Sequence, residues 1–268
     1  MNELLVLLPI LLASGIIAGL LAGLLGVGGG IVIVPMLYHI FIYLNIDITV
    51  AIPLSIGTSL STIVVTSIMS ARSHHKKGGI DWDLTKRWIP LVIIGVLIGS
   101  FSSKYIDAST LKFMFGILLL VVSIHMIISS FKSIIIAKQL PGNFGQSIFG
   151  LLLGGFASLL GIGGGTLMVP LLTLFSYPIH KAVSTASIFG LVISIPATIG
   201  YIIVGWGAPN LPVGSTGYVN WIGFIALVPM TMLFAPLGVK LAYRLNVKQL
   251  KVAFAVFLAC VGVKMLLV

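Results

Sequence analysis

The stretch GLLGVGGGIVIVP, from Gly23 to Pro35, occurs twice in this chain with few changes. Its second copy reads SLLGIGGGTLMVP and runs from Ser158 to Pro170, 135 residues later in a chain of 268. In both copies three consecutive glycines interrupt an apolar segment. Such interruptions at corresponding places in two halves are typical of the transport sites of membrane proteins. The sequence therefore predicts a duplicated membrane protein that moves a solute.

The composition places the chain in the membrane. Hydrophobic residues make up 59% of it and charged residues 7%, whereas a soluble domain has about 25% charged residues. The apolar segments do not alternate with polar residues as membrane strands do, and the segment at 4–25 is interpreted as retained structure, not as a signal peptide. We predict an all-α integral membrane protein, a polytopic helical bundle whose partner is the lipid bilayer.

Ten apolar segments follow one another along the chain. They fall near residues 4–25, 31–44, 48–70, 88–103, 111–131, 144–160, 166–179, 182–204, 221–239 and 251–268. A helix needs about 20 residues to cross the hydrocarbon core, and the segments 31–44 and 166–179 after the triple glycines are shorter. They either break a membrane helix or form re-entrant hairpins, which leaves between eight and ten helices.

The charged loops indicate how the halves are oriented. The loop after the third segment is basic in the first half, whereas its counterpart at 205–220 has no charge. In the loop that follows, the second half is the more basic one. Because positive loops stay in the cytoplasm, we predict two inverted repeats, 1–135 and 136–268, forming one membrane domain. With 72–87, 132–143, 180–181 and 240–251 inside, twelve of the fifteen Lys and Arg face the cytoplasm and both termini lie outside.

This role of the basic residues also explains the net charge of +10, so no nucleic-acid partner is predicted. His74, His75, His180 and Lys181 lie at predicted cytoplasmic ends and are interpreted in the same way, as topology determinants; the alternative is that they attract an anion to the inner mouth. Trp88, Trp206 and Trp221 lie near predicted segment ends and resemble interface anchors.

The glycine loops are the first candidate binding site. Glycine lets a ligand approach the main chain, and the half-helices that follow would present free N–H groups and a positive dipole end to an anion. The alternative is close helix packing by small residues. The predicted substrate contacts are Gly28, Gly29, Gly30, Gly163, Gly164, Gly165 and Thr166.

Two hydroxyl clusters follow the glycine loops. Thr58 and Ser59 in the first half, and Ser184 and Thr185 in the second, can donate hydrogen bonds to an oxyanion without bringing charge into the bilayer. Serine and threonine in membrane helices also bond their own carbonyls or neighbouring helices. Both interpretations stay open for these four residues.

The acidic residues restrict the substrate. All five lie at predicted segment ends or in loops, and the second half has none. A cation site or an acidic proton relay needs a carboxylate in the membrane, so an anionic or neutral substrate is predicted. His39 and His125 leave proton coupling open. No nucleophile–base pair or metal cluster has convincing spacing. Cys260 is the single cysteine of the sequence, so a metal site built from several cysteines is not possible. We therefore predict no enzyme, cofactor or metal site.

Several motifs resemble those of one known family. The paired Leu-Gly-x-Gly-Gly-Gly…Pro segments, Gly57-Thr58-Ser59 and His75-x-x-x-Gly79-Ile80-Asp81-Trp82 are similar to the TauE/SafE family of sulfite-exporter-like permeases. Tyr201-x-x-x-Gly205 resembles the corresponding feature of the second half, and the similarity covers essentially the whole chain.

The resemblance implies a transporter in the plasma membrane of a bacterial or archaeal cell. It further implies small sulfur-containing anions as substrates, such as sulfite, sulfoacetate or related organosulfonates, with export as the direction. The two inverted halves predict alternating access as the mechanism. An anion channel, or a transporter of another small anion or a neutral solute, is the alternative. The sequence does not decide the coupling ion or whether the chain forms a homo-oligomer.

Overall fold

The computed structural model describes residues 2–26, 28–131, 135–242, 244 and 247–267. Within these residues the chain forms ten α-helices, a short 3-10 turn at Ser103–Tyr105 and a two-stranded antiparallel ribbon. The helices are α1 (Asn2–Leu25), α2 (Gly30–Tyr43), α3 (Ile48–His75), α4 (Trp82–Ser102), α5 (Ala108–Phe131), α6 (Asn143–Leu159), α7 (Gly165–Leu174), α8 (Ile179–Val204), α9 (Trp221–Ala242) and α10 (Val247–Leu267), and the strands are β1 (Ser215–Thr216) and β2 (Val219–Asn220).

Among the residues that the structure describes in full, five helices are long and apolar enough to cross a membrane by themselves. They are α3, α4 extended by the 3-10 turn to Tyr105, α5, α8 and α9. Large apolar side chains such as Ile98, Ile124 and Leu233 lie exposed on the outside of the bundle, where a bilayer would cover them. The structure confirms an all-α polytopic membrane protein, and its helix count falls within the predicted range.

The helices after the glycine loops are short. α2 has 14 residues and α7 has 10, which at 1.5 Å per residue gives lengths of about 21 and 15 Å against a hydrocarbon core of about 30 Å. The prediction of one apolar segment at 166–179 was wrong at its end. Ser176 has a left-handed φ of 61°, and Pro178 disfavours helix in the residue before it. The chain therefore leaves α7 at Leu174 and starts α8 at Ile179.

The start of α4 also differs from the prediction. Asp81 caps this helix, its Oδ1 accepting from the Leu84 N–H at 3.0 Å, so α4 begins at Trp82 instead of residue 88. Trp88 consequently lies inside the helix, fully buried, and donates from Nε1 to Gln146 Oε1 at 3.1 Å. Its assignment as an interface anchor was wrong, whereas Trp206 and Trp221 are exposed.

The helices pack in a pattern that repeats itself. α1 packs on α9 and α4 on α6, while α3 packs on α8 and α5 on α10. If α1–α5 are matched in order with α6–α10, the α1–α9 pair corresponds to the α6–α4 pair. The α3–α8 and α5–α10 pairs each correspond to themselves. At the α5–α10 interface, Gly116 lies against Gly262, and Ser123 Oγ donates to the Ala255 carbonyl at 2.7 Å. The division into repeats 1–135 and 136–268 stays a prediction, and this pairing supports it.

Candidate functional site

The two glycine loops meet in the interior of the protein. A Cβ atom added to Gly28 would lie 3.2 Å from Gly163 Cα, and one added to Gly30 would collide with the Gly161 carbonyl oxygen. Gly28 and Gly163 occupy the same position in the two copies of the motif. The loops therefore run past each other in opposite directions, and corresponding residues touch where they cross.

Several of these glycines pack directly against other parts of the protein. Gly29 has a φ of 86°, and its Cβ would lie 2.9 Å from the Ala18 carbonyl oxygen; that of Gly164 would lie 2.8 Å from Phe189 Cβ. These contacts favour close packing as the reason for glycine at 28, 29, 30 and 164. Ligand contact at the six predicted glycines stays a prediction.

Thr58 and Thr185 occupy equivalent places. The Asn220 N–H donates to Thr58 Oγ1 at 2.8 Å, and the Asp81 N–H donates to Thr185 Oγ1 at 3.0 Å. Asn220 and Asp81 directly precede α9 and α4, and their side chains accept from N–H groups in the first turns of those helices. Each threonine therefore fixes the start of a helix in the other half of the chain.

We expect Thr58→Val and Thr185→Val to lower stability by similar amounts, about 1–3 kcal/mol, because each leaves a backbone N–H without its acceptor. Thermal unfolding in detergent measures this. Thr66→Val is the matched control, since Thr66 Oγ1 donates only to the Thr62 carbonyl one turn back, and it should change stability little. Unchanged stability in both variants, with lost anion binding, would contradict the structural role and favour substrate contact.

The other two predicted hydroxyls also contact protein groups. Ser59 Oγ donates to the Gly161 carbonyl at 2.9 Å, tying α3 to the second glycine loop. Ser184 Oγ lies 3.1 Å from His74 Nδ1, and His74 Nε2 lies 3.2 Å from the Gly23 carbonyl oxygen. The structure thus brings Ser184 together with a histidine that the sequence had assigned to loop topology.

His74 is 1% exposed, and its burial was missed because it stands beside His75, Lys76 and Lys77 in a basic run. A helical signal was present in the sequence. Ser67, Ser70 and Ala71 precede His74 by seven, four and three residues, which places all four on one helix face. The first three are buried as well.

An open cavity reaches the second glycine loop. Its volume is about 50 Å³, and α1, α2, α5, α7 and α8 contribute to its wall. Gly165 and Thr166 line it, together with His125 and Ser129 of α5. Thr166 is 2% exposed, and its Oγ1 has no hydrogen-bond partner within the part of the chain that the structure describes. The cavity thus ends at the start of a helix beside a hydroxyl that can still donate.

A polar cluster links the two halves on the same side of the protein. Tyr177, between α7 and α8, donates from its hydroxyl to Asp81 Oδ2. Burial alone would raise the pKa of Asp81, but hydrogen bonds from the Leu84 N–H and Tyr177, with the charge of Lys181, hold this pKa below its usual value. Burial and the Asp81 carboxylate raise the pKa of Tyr177. The pair is therefore a neutral phenol bonded to a carboxylate near neutral pH.

Comparison with known proteins agrees with this architecture. Probable membrane transporter proteins of Haemophilus influenzae and Methanocaldococcus jannaschii are 32% and 31% identical to the chain. The alignments cover 90% and 99% of this chain and 91% and 97% of those relatives. The probable membrane transporter protein YunE of Bacillus subtilis is 28% identical over 96% of both chains. No solved structure gives a significant match.

The family comparison covers the whole bundle. The family model described as sulfite exporter TauE/SafE matches residues 11–265, from the first half of α1 to the last turn of α10. It includes both glycine loops, the four predicted hydroxyls and the cavity. The chain is a membrane transporter and belongs to the sulfite exporter TauE/SafE family.

Proposed function

We propose that this protein is a secondary transporter of small sulfur-containing anions, such as sulfite, sulfoacetate or related organosulfonates, and that it exports them across the plasma membrane by alternating access. Thr166 carries this proposal. Thr166 lines the cavity, and its buried hydroxyl has no partner among the described residues. An unbonded buried hydroxyl is costly, and an oxyanion would satisfy it. The start of α7, with the positive end of its helix dipole, favours a negative charge at the same place.

The surroundings of the cavity also suit an anion. Ile179 on its wall is followed by His180 and Lys181 in the first turn of α8. No carboxylate belongs to the part of the wall that the structure describes, whereas His125 does. A cation would need acidic ligands at this depth, so the wall supports an anionic substrate over a cationic one.

The two repeats suggest how the site could change sides. Leu25 and Val183 of the cavity wall correspond to Leu160 and Ile56 when the repeats are matched. All four are buried, the first two 9% and 6% exposed and the second two 2% and 1%, so the equivalent place on the opposite side is slightly less accessible. Exchange of conformation between inverted repeats would close the cavity and open its counterpart. We place the basic loops, and the cavity mouth beside Lys181, in the cytoplasm.

The first experiment measures thermal stability of the purified protein in detergent with sulfite, thiosulfate, sulfate, sulfoacetate, taurine and chloride. A ligand of the native state stabilises it by about 2.7 kcal/mol at a hundredfold excess over Kd. We expect a selective shift with one or more sulfur anions. A shift with cations or neutral solutes only would overturn the anion site.

Transport in liposomes then separates a transporter from a channel with the same site. An alternating-access transporter loaded with unlabelled anion should accelerate uptake of the labelled anion, and uptake should saturate. Linear uptake without this counterflow would contradict alternating access and favour the channel.

A further inference from the structure

His74 connects three helices through its two ring nitrogens. Nε2 faces the Gly23 carbonyl near the end of α1, at 3.2 Å, and Nδ1 faces Ser184 Oγ on α8, at 3.1 Å. A carbonyl oxygen can only accept a hydrogen bond, so the ring proton belongs on Nε2. In the neutral ring, Nδ1 then accepts a hydrogen bond, and the Ser184 hydroxyl donates it with its single proton.

The opposite half performs the same structural task without a histidine. Tyr201 is equivalent to His74 when Thr185 is matched with Thr58, and its hydroxyl donates to the Leu159 carbonyl near the end of α6 at 3.2 Å. Tyr201 therefore corresponds to His74, whereas the sequence motif had suggested His75. A phenol is sufficient to hold a terminal carbonyl, so that task alone does not require a histidine. The histidine adds a proton acceptor on one side of the membrane only.

His74 lies directly behind the cavity wall. Ser184 follows Val183 on α8, and Gly23 precedes Leu25 on α1 by two residues; Val183 and Leu25 both line the cavity. His74, Ser184 and Gly23 do not line the cavity themselves, so the bonded pair adjoins its wall from behind, next to Val183 and Leu25. A change in the direction of the Ser184 hydroxyl would therefore change the layer directly behind Val183.

The groups around His74 set the electrostatic environment of any proton that it binds. α1 contributes main-chain carbonyls at Ala22 and Gly23. Three other elements contribute titratable or charged residues: α3 beside His74, α8, which packs against it, and the segment before α4. These residues are Arg72, His75, Lys76, His180, Lys181 and Asp81. Most of these are basic and disfavour a second positive charge. An anion in the cavity would therefore favour protonation.

We propose that His74 is a proton-binding site coupled through Ser184 to anion binding in the cavity, so that one proton accompanies the substrate. This inference rests on the proposed function and assigns its coupling ion. A proton from solution binds Nδ1, which then donates to Ser184 Oγ. The serine hydroxyl then turns away from the ring, and its own proton becomes free to donate to an anion that moves from the cavity to the layer behind Val183. No covalent bond other than the new N–H changes, and the positive charge on the ring is balanced by the negative charge of the substrate.

The test measures proton uptake with a pH indicator when sulfoacetate is added to the purified full chain in weakly buffered detergent solution at about pH 6 to pH 8. Sulfoacetate is the probe because it stays fully ionised there, whereas sulfite itself takes up a proton near neutral pH. Stabilisation by sulfoacetate, measured in parallel, reports binding independently of protons.

The wild type should take up close to one proton for each anion bound, and its affinity should rise up to about tenfold for each unit by which the pH falls. His74→Gln can keep both hydrogen bonds, since its amide donates to Gly23 and its carbonyl accepts from Ser184, but it cannot bind the proton. Its anion affinity should be low and independent of pH, with no proton uptake. His75→Gln, at the exposed neighbouring residue, should behave as the wild type.

Ser184→Ala provides the second variant, because it leaves His74 in place and removes the connection. It should also bind sulfoacetate weakly and without proton uptake. Stabilisation by sulfoacetate without proton uptake in the wild type, or uptake that persists in His74→Gln or Ser184→Ala, would overturn the coupling and leave the anion site standing. Absence of stabilisation by every anion tested would overturn the proposed function together with this inference.

Discussion

Thr166→Val is expected to weaken anion binding between about tenfold and a hundredfold without lowering the stability of the free protein. A hydrogen bond to a charged group contributes about 1.5–3 kcal/mol, and each 1.4 kcal/mol changes Kd by a factor of ten. Valine has nearly the shape of threonine, so the packing of α7 should persist. Because Thr166 Oγ1 has no partner among the described residues, its removal breaks no hydrogen bond there.

The anion-dependent thermal shift measures this effect, and Ser194→Ala is its control. Ser194 on α8 is also fully buried, and its hydroxyl likewise lacks a partner in the described part of the chain, but it does not belong to the cavity wall. This variant should bind the anion as the wild type does. Equal loss of affinity in both variants would point to an indirect effect. Unchanged affinity in Thr166→Val would remove Thr166 from the anion site.

Gly30→Ala is expected to destabilise the folded protein by about 3 kcal/mol, the upper part of the range for overpacking. The added methyl group would collide with the Gly161 carbonyl oxygen and lie 3.0 Å from Ile162 Cα. Both contacts involve main chain of the other glycine loop, which cannot move aside as a flexible side chain could. The loops would have to separate where they cross.

Thermal unfolding in the absence of anion measures this loss. Gly142→Ala is the control, because Gly142 has a φ of −57° and no atom within 4 Å of an added Cβ, and surface substitutions of this kind change stability by less than about 0.5 kcal/mol. If Gly30→Ala unfolded at the wild-type temperature but failed to bind anions, ligand contact and not packing would explain the glycine.

The sequence predicted the features that depend on local pattern. Repeated triple glycines indicated where two helices break, and the length of the apolar segments indicated which helices cannot cross the membrane alone. The ends of α7 and α4 were placed wrongly because they depend on single residues, Pro178 after Tyr177 and the cap at Asp81, which hydropathy does not register. A segment read as continuously apolar can still contain a turn.

The site was predicted less completely because it depends on contacts between distant residues. Nothing in the sequence pairs Thr58 with Asn220 or Thr185 with Asp81, which lie more than a hundred positions apart. A hydroxyl that fixes a helix end cannot be told from one that binds substrate until its partner is known. Likewise, the charge run around His74 suggests solvent, and only the packing of α1 and α8 around α3 encloses it.

The exchange of helix starts between the halves bears on how such a chain could arise. Thr58 holds the residue before α9 and Thr185 the residue before α4, so each half is completed by the other. In an ancestor of half the length, the same threonine would have joined two copies inserted in opposite directions, each completing its neighbour. Duplication and fusion would have turned this contact between molecules into one within a single chain. If the two halves are repeats, as the sequence predicts, His74 and Tyr201 occupy positions that were identical before fusion and could differ after it.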